Sequence, residues 1–258
     1  MLYRPLTKKE YDRTLIQIVD TLLAPIVVSG KHRREHWESG WKQNLKEASL
    51  TPHYFGKYKV NRLNGKFVMA LSKNYEQNAL YRLLDTLFKK YLMGVEDIYE
   101  FGCGTGHNLL RIRKITTANL CGLDWVTSSQ KILKRLGFEA HRFDFFKPSA
   151  LKLKPNSAVF TVAALEQTGT KYKKFVSYLI KNKPNIVIHI EPIEELLDPT
   201  NLLDYLSLKY FKKRKYLSGY LTHLRKLEKC GKIRIVEARR TGIGSLFIEG
   251  YSVIVWTV

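Results

Sequence analysis

The chain has 258 residues, 45% of them hydrophobic, so it is long enough to bury one sizeable core and does not have the composition of a disordered sequence. Its 44 lysines and arginines against 23 acidic residues give a formal net charge of +21, which predicts anionic partners, either a charged substrate or a nucleic acid. Three cysteines, an odd number without metal-ligand spacing, predict reduced thiols with no disulfide and no structural zinc.

Residues 1–94 predict a mainly helical extension in front of one larger domain at residues 95–258. Residues 15–23 have a helical pattern, while the apolar run 22–28 is interrupted by Pro25 and is too short to span a bilayer. No signal peptide is recognisable. We therefore expect a cytoplasmic protein without a membrane span.

The extension also contains aromatic residues that are candidates for a ligand pocket. Trp37 and Trp41 lie four residues apart, so on a helix they share one face. That face either lines a pocket or pins the helix to the larger domain. Tyr75 precedes a predicted helix at residues 80–91, which leads directly into the first strand of the larger domain.

Residues 98–110 carry the clearest functional signal, an apolar run followed by a glycine-rich turn and a helical pattern. Glu100 ends the apolar run, and Gly102, Gly104 and Gly106 alternate in the turn. Glycines let a ligand approach the backbone, and the start of a helix offers unpaired N–H groups to an anion. This pattern predicts a nucleotide-cofactor pocket, although its spacing departs from the dinucleotide-binding fingerprint.

Two further strands also end in an acid. Residues 119–124 end in Asp124, about 20 residues past the glycine turn, where a ribose-binding carboxylate is expected in an open α/β sheet. Asp124 is equally suited to cap a helix that starts near Thr127, and the two roles can coexist. Residues 139–146 place Asp144 among phenylalanines, some of which we expect to be core residues.

The remaining chain adds four strand-like runs. They lie at residues 157–162, 185–190, 232–238 and 252–257, and helical patterns separate the earlier ones. Alternating strands and helices predict an α/β fold with a doubly wound, mostly parallel sheet. The last two runs follow one another without a helical pattern between them, which predicts a closing antiparallel hairpin in a sheet of seven strands.

The glycine turn, the acids on successive strands and the terminal hairpin together resemble the class I (Rossmann-like) S-adenosylmethionine (SAM) dependent methyltransferases. The resemblance implies SAM as the cofactor and a contact between Asp144 and the adenine amino group. It also implies that Trp125 or Phe145 packs on the adenine. The full set of cofactor-binding candidates is Glu100, Gly102, Gly104, Gly106, Asp124, Trp125, Asp144, Phe145, Leu165 and Tyr75.

A general base is needed only if the methyl acceptor must lose a proton. The candidates are Glu191, Glu166 and His189, because they lie on or just after strands whose carboxyl ends border the crevice of such a sheet. Glu191 is preferred, although it is equally suited to a cap or an ion pair. His189 lies in an apolar run, which favours a buried histidine with its hydrogen bonds satisfied. We expect no metal at this site.

These features predict a SAM-dependent methyltransferase for a small or carrier-linked anionic acceptor, such as a sugar or a surface-glycan precursor. The high positive charge keeps an RNA methyltransferase, acting on tRNA or rRNA, as an alternative. A non-catalytic protein that retains the fold for binding or scaffolding is a third interpretation. The sequence gives no indication of the oligomeric state.

Overall fold

The structure, a computed structural model, describes residues 2–148 and 150–258. In these ranges the strands are β1 (Tyr3–Pro5), β2 (Val60–Leu63), β3 (Lys66–Ala70), β4 (Asp97–Phe101), β5 (Asn119–Asp124), β6 (Glu139–Arg142), β7 (Ser157–Val162), β8 (Ile186–Glu191), β9 (Arg234–Arg239) and β10 (Ser252–Thr257). The α-helices are α1 (Lys8–Leu23), α2 (Arg34–Glu47), α3 (Tyr75–Tyr91), α4 (His107–Ile112), α5 (Thr127–Arg135), α6 (Lys173–Asn182), α7 (Leu202–Arg214) and α8 (Tyr220–Lys229). None of these described helices combines the length and apolar character that a membrane crossing requires.

The main sheet has seven strands in the order β6-β5-β4-β7-β8-β10-β9. Neighbours from β6 to β8 run parallel, while β10 is antiparallel to both β8 and β9. The chain moves outward from β4 to β6 and then returns to the other side of β4 with β7. Open α/β sheets leave a ligand crevice at the carboxyl ends of the strands where the order reverses. The predicted mostly parallel sheet with a C-terminal antiparallel hairpin is confirmed.

Alternate side chains of the central strands enter two hydrophobic cores, one on each face of the sheet. Along β4, Ile98 enters the core formed with α3, while Tyr99 and Phe101 enter the core formed with α6 and α8. Strands that are covered on both faces must be apolar almost throughout. Glu100 interrupts this pattern one residue before the strand ends, which places its carboxyl group at the crevice.

The extension is mainly helical, as predicted, but it also forms a three-stranded antiparallel sheet of order β1-β3-β2. Arg62 of β2 is almost fully buried, and its guanidinium donates hydrogen bonds to Leu203 O, Ser207 Oγ and Phe247 O. These acceptors belong to the larger domain, so the extension and the domain share buried contacts. The division at residue 94 stays a prediction.

Candidate functional site

A cleft that opens to solvent lies at the carboxyl ends of β4, β5 and β7. The glycine turn after β4 forms its floor. α2 of the extension covers it from one side, and the turns after β6 and β7 form its other walls. The cleft therefore occupies the position that the strand order of the sheet specifies.

Gly102 and Gly104 form the floor because no larger residue fits there. Both have positive φ, 77° and 52° respectively. A Cβ on Gly102 would lie 2.3 Å from Cβ of Ala164, and one on Gly104 would lie 2.9 Å from the indole of Trp41. Gly106 is the N-cap residue of α4 and lies against Leu133, and it is not among the residues that line the cleft.

Asp124 joins the glycine turn to β5. Its Oδ2 accepts a hydrogen bond of 3.0 Å from Gly104 N, and its Oδ1 accepts one of 3.2 Å from Val126 N. Burial raises the pKa of Asp124 to about 6. Asp124 does not cap α5, because Val126 is the N-cap residue and Glu38 of α2 accepts the free N–H groups of the first turn.

Glu100 is buried at the same end of the cleft. Its Oε1 accepts a hydrogen bond of 2.7 Å from Asn108 Nδ2, while Oε2 has no partner within the described part of the chain. Burial raises the pKa of Glu100 to about 8. Three other cleft-lining residues hold buried polar atoms that are likewise unpartnered within the described chain, namely His107 Nε2, Asn108 Oδ1 and Gln167 Oε1.

The described residues that line the cleft include neither a lysine nor an arginine. The one lining histidine, His107, is neutral at pH 7 because burial lowers its pKa to about 4. Glu100 and Asp124 therefore have no cationic side chain beside them in the cleft. A carboxylate in this setting is stabilised by a ligand that brings positive charge.

Aromatic side chains form the apolar walls. Trp37 and Trp41 share one face of α2 and stack with ring centroids 5.6 Å apart. Both line the cleft, and Trp41 also packs on Val126, so both predicted roles of this face are observed. On another wall, the ring centroids of Trp125 and Phe146 are 6.0 Å apart, and Phe145 lines the cleft beside them.

Four cofactor-binding candidates do not line the cleft, namely Gly106, Asp144, Leu165 and Tyr75. Asp144 Oδ1 accepts a hydrogen bond of 2.8 Å from Phe146 N and so shapes the turn after β6. Leu165 is buried in the core with α6, and Tyr75 packs edge-on against Tyr3. Their contacts with a cofactor stay predictions.

The three catalytic candidates occupy different environments. Glu191 accepts backbone hydrogen bonds from Ala164, Leu165 and Glu166 at 3.0–3.1 Å, so it holds the turn after β7 in place. His189 Nδ1 lies 2.9 Å from Thr161 Oγ1, and burial lowers the pKa of the ring to about 3. The preferred base, Glu191, thus has backbone partners, and His189 is a buried neutral histidine.

Glu166 differs from the other two candidates because its partner is a cleft-lining side chain, that of Gln167. Gln167 Nε2 donates a hydrogen bond of 2.9 Å to Glu166 Oε1. Burial, followed by the neighbouring Glu191, raises the pKa of Glu166 to about 8. A carboxyl group that titrates near neutrality can accept a proton at physiological pH.

The sequence analysis missed several lining residues, including Tyr54, His107 and Gln167. Tyr54 lies in an irregular segment between α2 and β2, and it is 40% exposed. The position of His107 directly after the glycine turn was a usable signal in the sequence. No such signal exists for Tyr54, because only the tertiary fold brings it to the cleft.

No protein-family model and no curated protein matches this sequence. Solved structures do match. The [4+2]-cyclase SpnF aligns with a TM-score of 0.60 and 13% identity over 91% of this chain and 98% of that chain. The N-methyltransferase NodS from Bradyrhizobium japonicum WM9, in complex with S-adenosylhomocysteine, aligns with a TM-score of 0.58 and 12% identity over 86% and 97%.

A third match is magnesium protoporphyrin IX methyltransferase (ChlM) from Synechocystis PCC 6803, with bound S-adenosylhomocysteine. It aligns with a TM-score of 0.57 and 13% identity over 87% of this chain and 97% of that chain. The chain therefore has the fold of the class I SAM-dependent methyltransferases. Since one similar structure is described as a cyclase, the fold does not by itself define the reaction.

Proposed function

We propose that the protein is a SAM-dependent methyltransferase that acts on a small or carrier-linked acceptor. The observation that carries the proposal is the cleft itself, in which the glycine turn and two buried carboxyl groups meet without a basic side chain. SAM carries a sulfonium and an ammonium group, so it supplies the positive charge that Glu100 and Asp124 lack. Aromatic walls beside these acids suit the adenine ring.

In this proposal, different residues of the cleft bind different parts of the cofactor. The backbone at Gly102 and Gly104 lies along its amino-acid part, and the unpartnered Glu100 Oε2 accepts a hydrogen bond from its ammonium group. Asp124 accepts hydrogen bonds from the ribose hydroxyls. Trp125 and Phe145 enclose the adenine, while the predicted contacts of Asp144, Leu165, Gly106 and Tyr75 are kept as part of the proposal.

The sulfonium of SAM makes its methyl group open to attack by a nucleophile. The protein's share of the work is to hold the acceptor in line and to exclude water, which alone supplies a large part of such rate enhancements. Glu166 is the base that we favour for an acceptor that must lose a proton, because it is bonded to cleft-lining Gln167. Glu191 is assigned a positioning role, since it fixes the backbone of residues 164–166.

The finer assignment of the acceptor rests on charge. A net charge of +21 favours an acceptor that carries phosphate or carboxylate groups, such as a sugar or a surface-glycan precursor. The same charge supports the alternative of tRNA or rRNA methylation. A non-catalytic role is disfavoured, because a decayed pocket has no need to keep two buried acids without a cationic partner.

The test has two measurements on the full-length protein. Isothermal titration calorimetry with S-adenosylhomocysteine is expected to show binding to one site per chain. Incubation with methyl-labelled SAM and fractionated cell extract is expected to place label in a small or carrier-linked compound. Binding without any labelled product would favour a scaffold, and absence of binding would contradict the proposal altogether.

A further inference from the structure

A second group of potential ligand atoms lies on the main sheet, away from the cleft. β5 and β6 pair in parallel so that Cys121 lies directly beside Glu139. His141 follows two residues later in β6 and therefore points to the same face as Glu139. One donor atom from each, the Cys121 sulfur, a carboxylate oxygen and an imidazole nitrogen, lie within 4.8 Å of one another.

The burial of the three side chains is graded. Cys121 is only 3% exposed, whereas the side chains of Glu139 and His141 are 54% and 42% exposed. The sulfur therefore lies at the base of the cluster, with the two other donors at its rim. In the ion-free protein, His141 Nε2 and Glu139 Oε1 are 2.7 Å apart, so these donors are already turned toward each other.

We propose that Cys121, Glu139 and His141 form a binding site for a zinc-class divalent ion, with water completing the coordination. Sulfur, imidazole nitrogen and carboxylate oxygen are the ligands that zinc uses in proteins. On binding, the Cys121 thiol loses its proton to solvent as the sulfur–metal bond forms. The contact between His141 and Glu139 is replaced by one bond from each residue to the ion.

The charges around the site bear on this assignment. Burial raises the pKa of the Cys121 thiol to about 12, so without an ion it stays protonated. The positive charge of Lys154 lies near the site and repels a cation. Its ammonium donates a hydrogen bond of 2.8 Å to Asp97, whose negative charge offsets that of the lysine. The negative charge of Glu139 and of the deprotonated sulfur then remains for the ion.

Spacing along the chain cannot reveal this cluster, because Cys121 and Glu139 meet only through strand pairing. Its position gives it a structural consequence. β6 is the edge strand of the sheet and leads directly into Phe143 and Phe145, which line the cleft. A bound ion would fasten this edge strand to β5 and would stabilise the folded chain by mass action.

Cobalt titration of the untagged full-length protein tests the site, because cobalt replaces zinc and reports its ligands by absorption. The C230S background removes the exposed thiol of Cys230. We expect one equivalent of cobalt to give the thiolate-to-cobalt charge-transfer band and strong visible bands, which zinc then abolishes. C121S is expected to lose the charge-transfer band, and H141A to weaken binding by roughly 10-fold or more.

A matched control is available at His53, which pairs with Glu47 on the surface at 3.7 Å and so resembles the rim of the site. H53A is expected to bind cobalt like the background protein. Absence of the charge-transfer band in the background protein, or equal binding by C121S, would overturn the proposal. Should C121S fail to fold by circular dichroism, H141A and E139Q decide the matter, since both replace partly exposed side chains. Cobalt binding is independent of SAM, so failure here leaves the proposed methyltransferase function unaffected.

Discussion

At the scale of single residues, Asp124 has an observed role and a proposed one that depend on the same two oxygens. It accepts hydrogen bonds from Gly104 N and Val126 N, and in the proposed function it also accepts them from a ribose. Asp124→Asn replaces one acceptor oxygen with a donating amide and removes the charge. We expect affinity for S-adenosylhomocysteine, measured by calorimetry, to fall on the order of 10- to 100-fold, which corresponds to one lost charge-assisted hydrogen bond.

The matched control for that substitution is Asp12→Asn. Asp12 pairs with Lys8 on the exposed face of α1 and is remote in sequence from every cleft residue. The affinity of the Asp12→Asn variant for S-adenosylhomocysteine should equal that of the unmodified protein. Equal affinity in the Asp124 variant as well would contradict a role for this carboxylate in binding.

The raised pKa of Glu100 predicts that SAM binding is accompanied by release of a proton. Its pKa is raised to about 8, because burial disfavours the carboxylate, so the group is mostly protonated at pH 7. A bound ammonium group favours the carboxylate and lowers this pKa, so SAM binding should release a proton at pH values between the lowered pKa and about 8. Calorimetry at pH 7 in buffers of different ionisation enthalpy measures the release, and E100Q is expected to reduce it. Identical release by both proteins would rule out Glu100 as its source.

The residues that line the cleft were predictable where the chain places them next to a recognisable turn. Glu100, Gly102, Gly104 and Asp124 lie at strand ends, and all four line the cleft. Tyr54 was not predictable, because an irregular segment brings it to the cleft from a distant part of the chain. For Glu191 the sequence offered a base or a cap, and the structure shows the capping contacts, since its carboxylate accepts hydrogen bonds from the backbone of residues 164–166. Its role as a base stays a prediction.

At the scale of elements, α2 supplies a cap that α5 lacks. α5 has Val126 at its N-cap, which offers no side-chain acceptor, and Glu38 of α2 accepts hydrogen bonds from Thr127 N at 2.7 Å and Ser128 Oγ at 2.6 Å. Glu38→Ala leaves these donors unsatisfied. Capping losses of this kind cost about 1 kcal/mol, and urea denaturation should show a decrease of that order in the free energy of unfolding.

The control for this cap lies on the same helix. Glu47 is the last residue of α2. Among the described side chains it accepts a hydrogen bond only from Gln43, and His53 lies 3.7 Å from its carboxylate. Glu47→Ala should change the free energy of unfolding by less than Glu38→Ala. If the two variants are equally stable, the bonds from Glu38 do not contribute measurably.

The order of elements was more predictable than their contacts. Alternating apolar runs and helical patterns sufficed for the seven-stranded sheet, because each buried strand must be apolar whatever its partner. The small sheet of β1, β2 and β3 was missed. Its strands are only three to five residues long, and β1 pairs with β3 across more than sixty residues, which no local pattern records. The hairpin of β2 and β3 did have a local signal, the Asn64-Gly65 turn, in which both residues have positive φ.

At the scale of the whole molecule, the cleft and the surface have opposite electrostatic character. The chain carries a net charge of +21, yet the described residues that line the cleft include two buried acids and no lysine or arginine. The interior of the cleft thus suits a cationic cofactor, while the surface attracts anions over longer distances. The acidic cleft and the basic surface suit different ligands. Changing the salt concentration tests them separately, because salt screens the attraction between the surface and anions.

Binding of tRNA makes this separation measurable. A basic surface that only attracts polyanions binds tRNA with a dissociation constant of about 10⁻⁴ to 10⁻⁶ M at physiological salt, and this affinity falls steeply as salt rises. We expect filter binding to show this behaviour and to be unchanged by saturating S-adenosylhomocysteine, because in the proposed function a small acceptor, not RNA, enters the cleft. Much tighter binding that persists at higher salt and strengthens with S-adenosylhomocysteine would instead favour RNA methylation, since only a substrate that occupies the cleft is coupled to the cofactor.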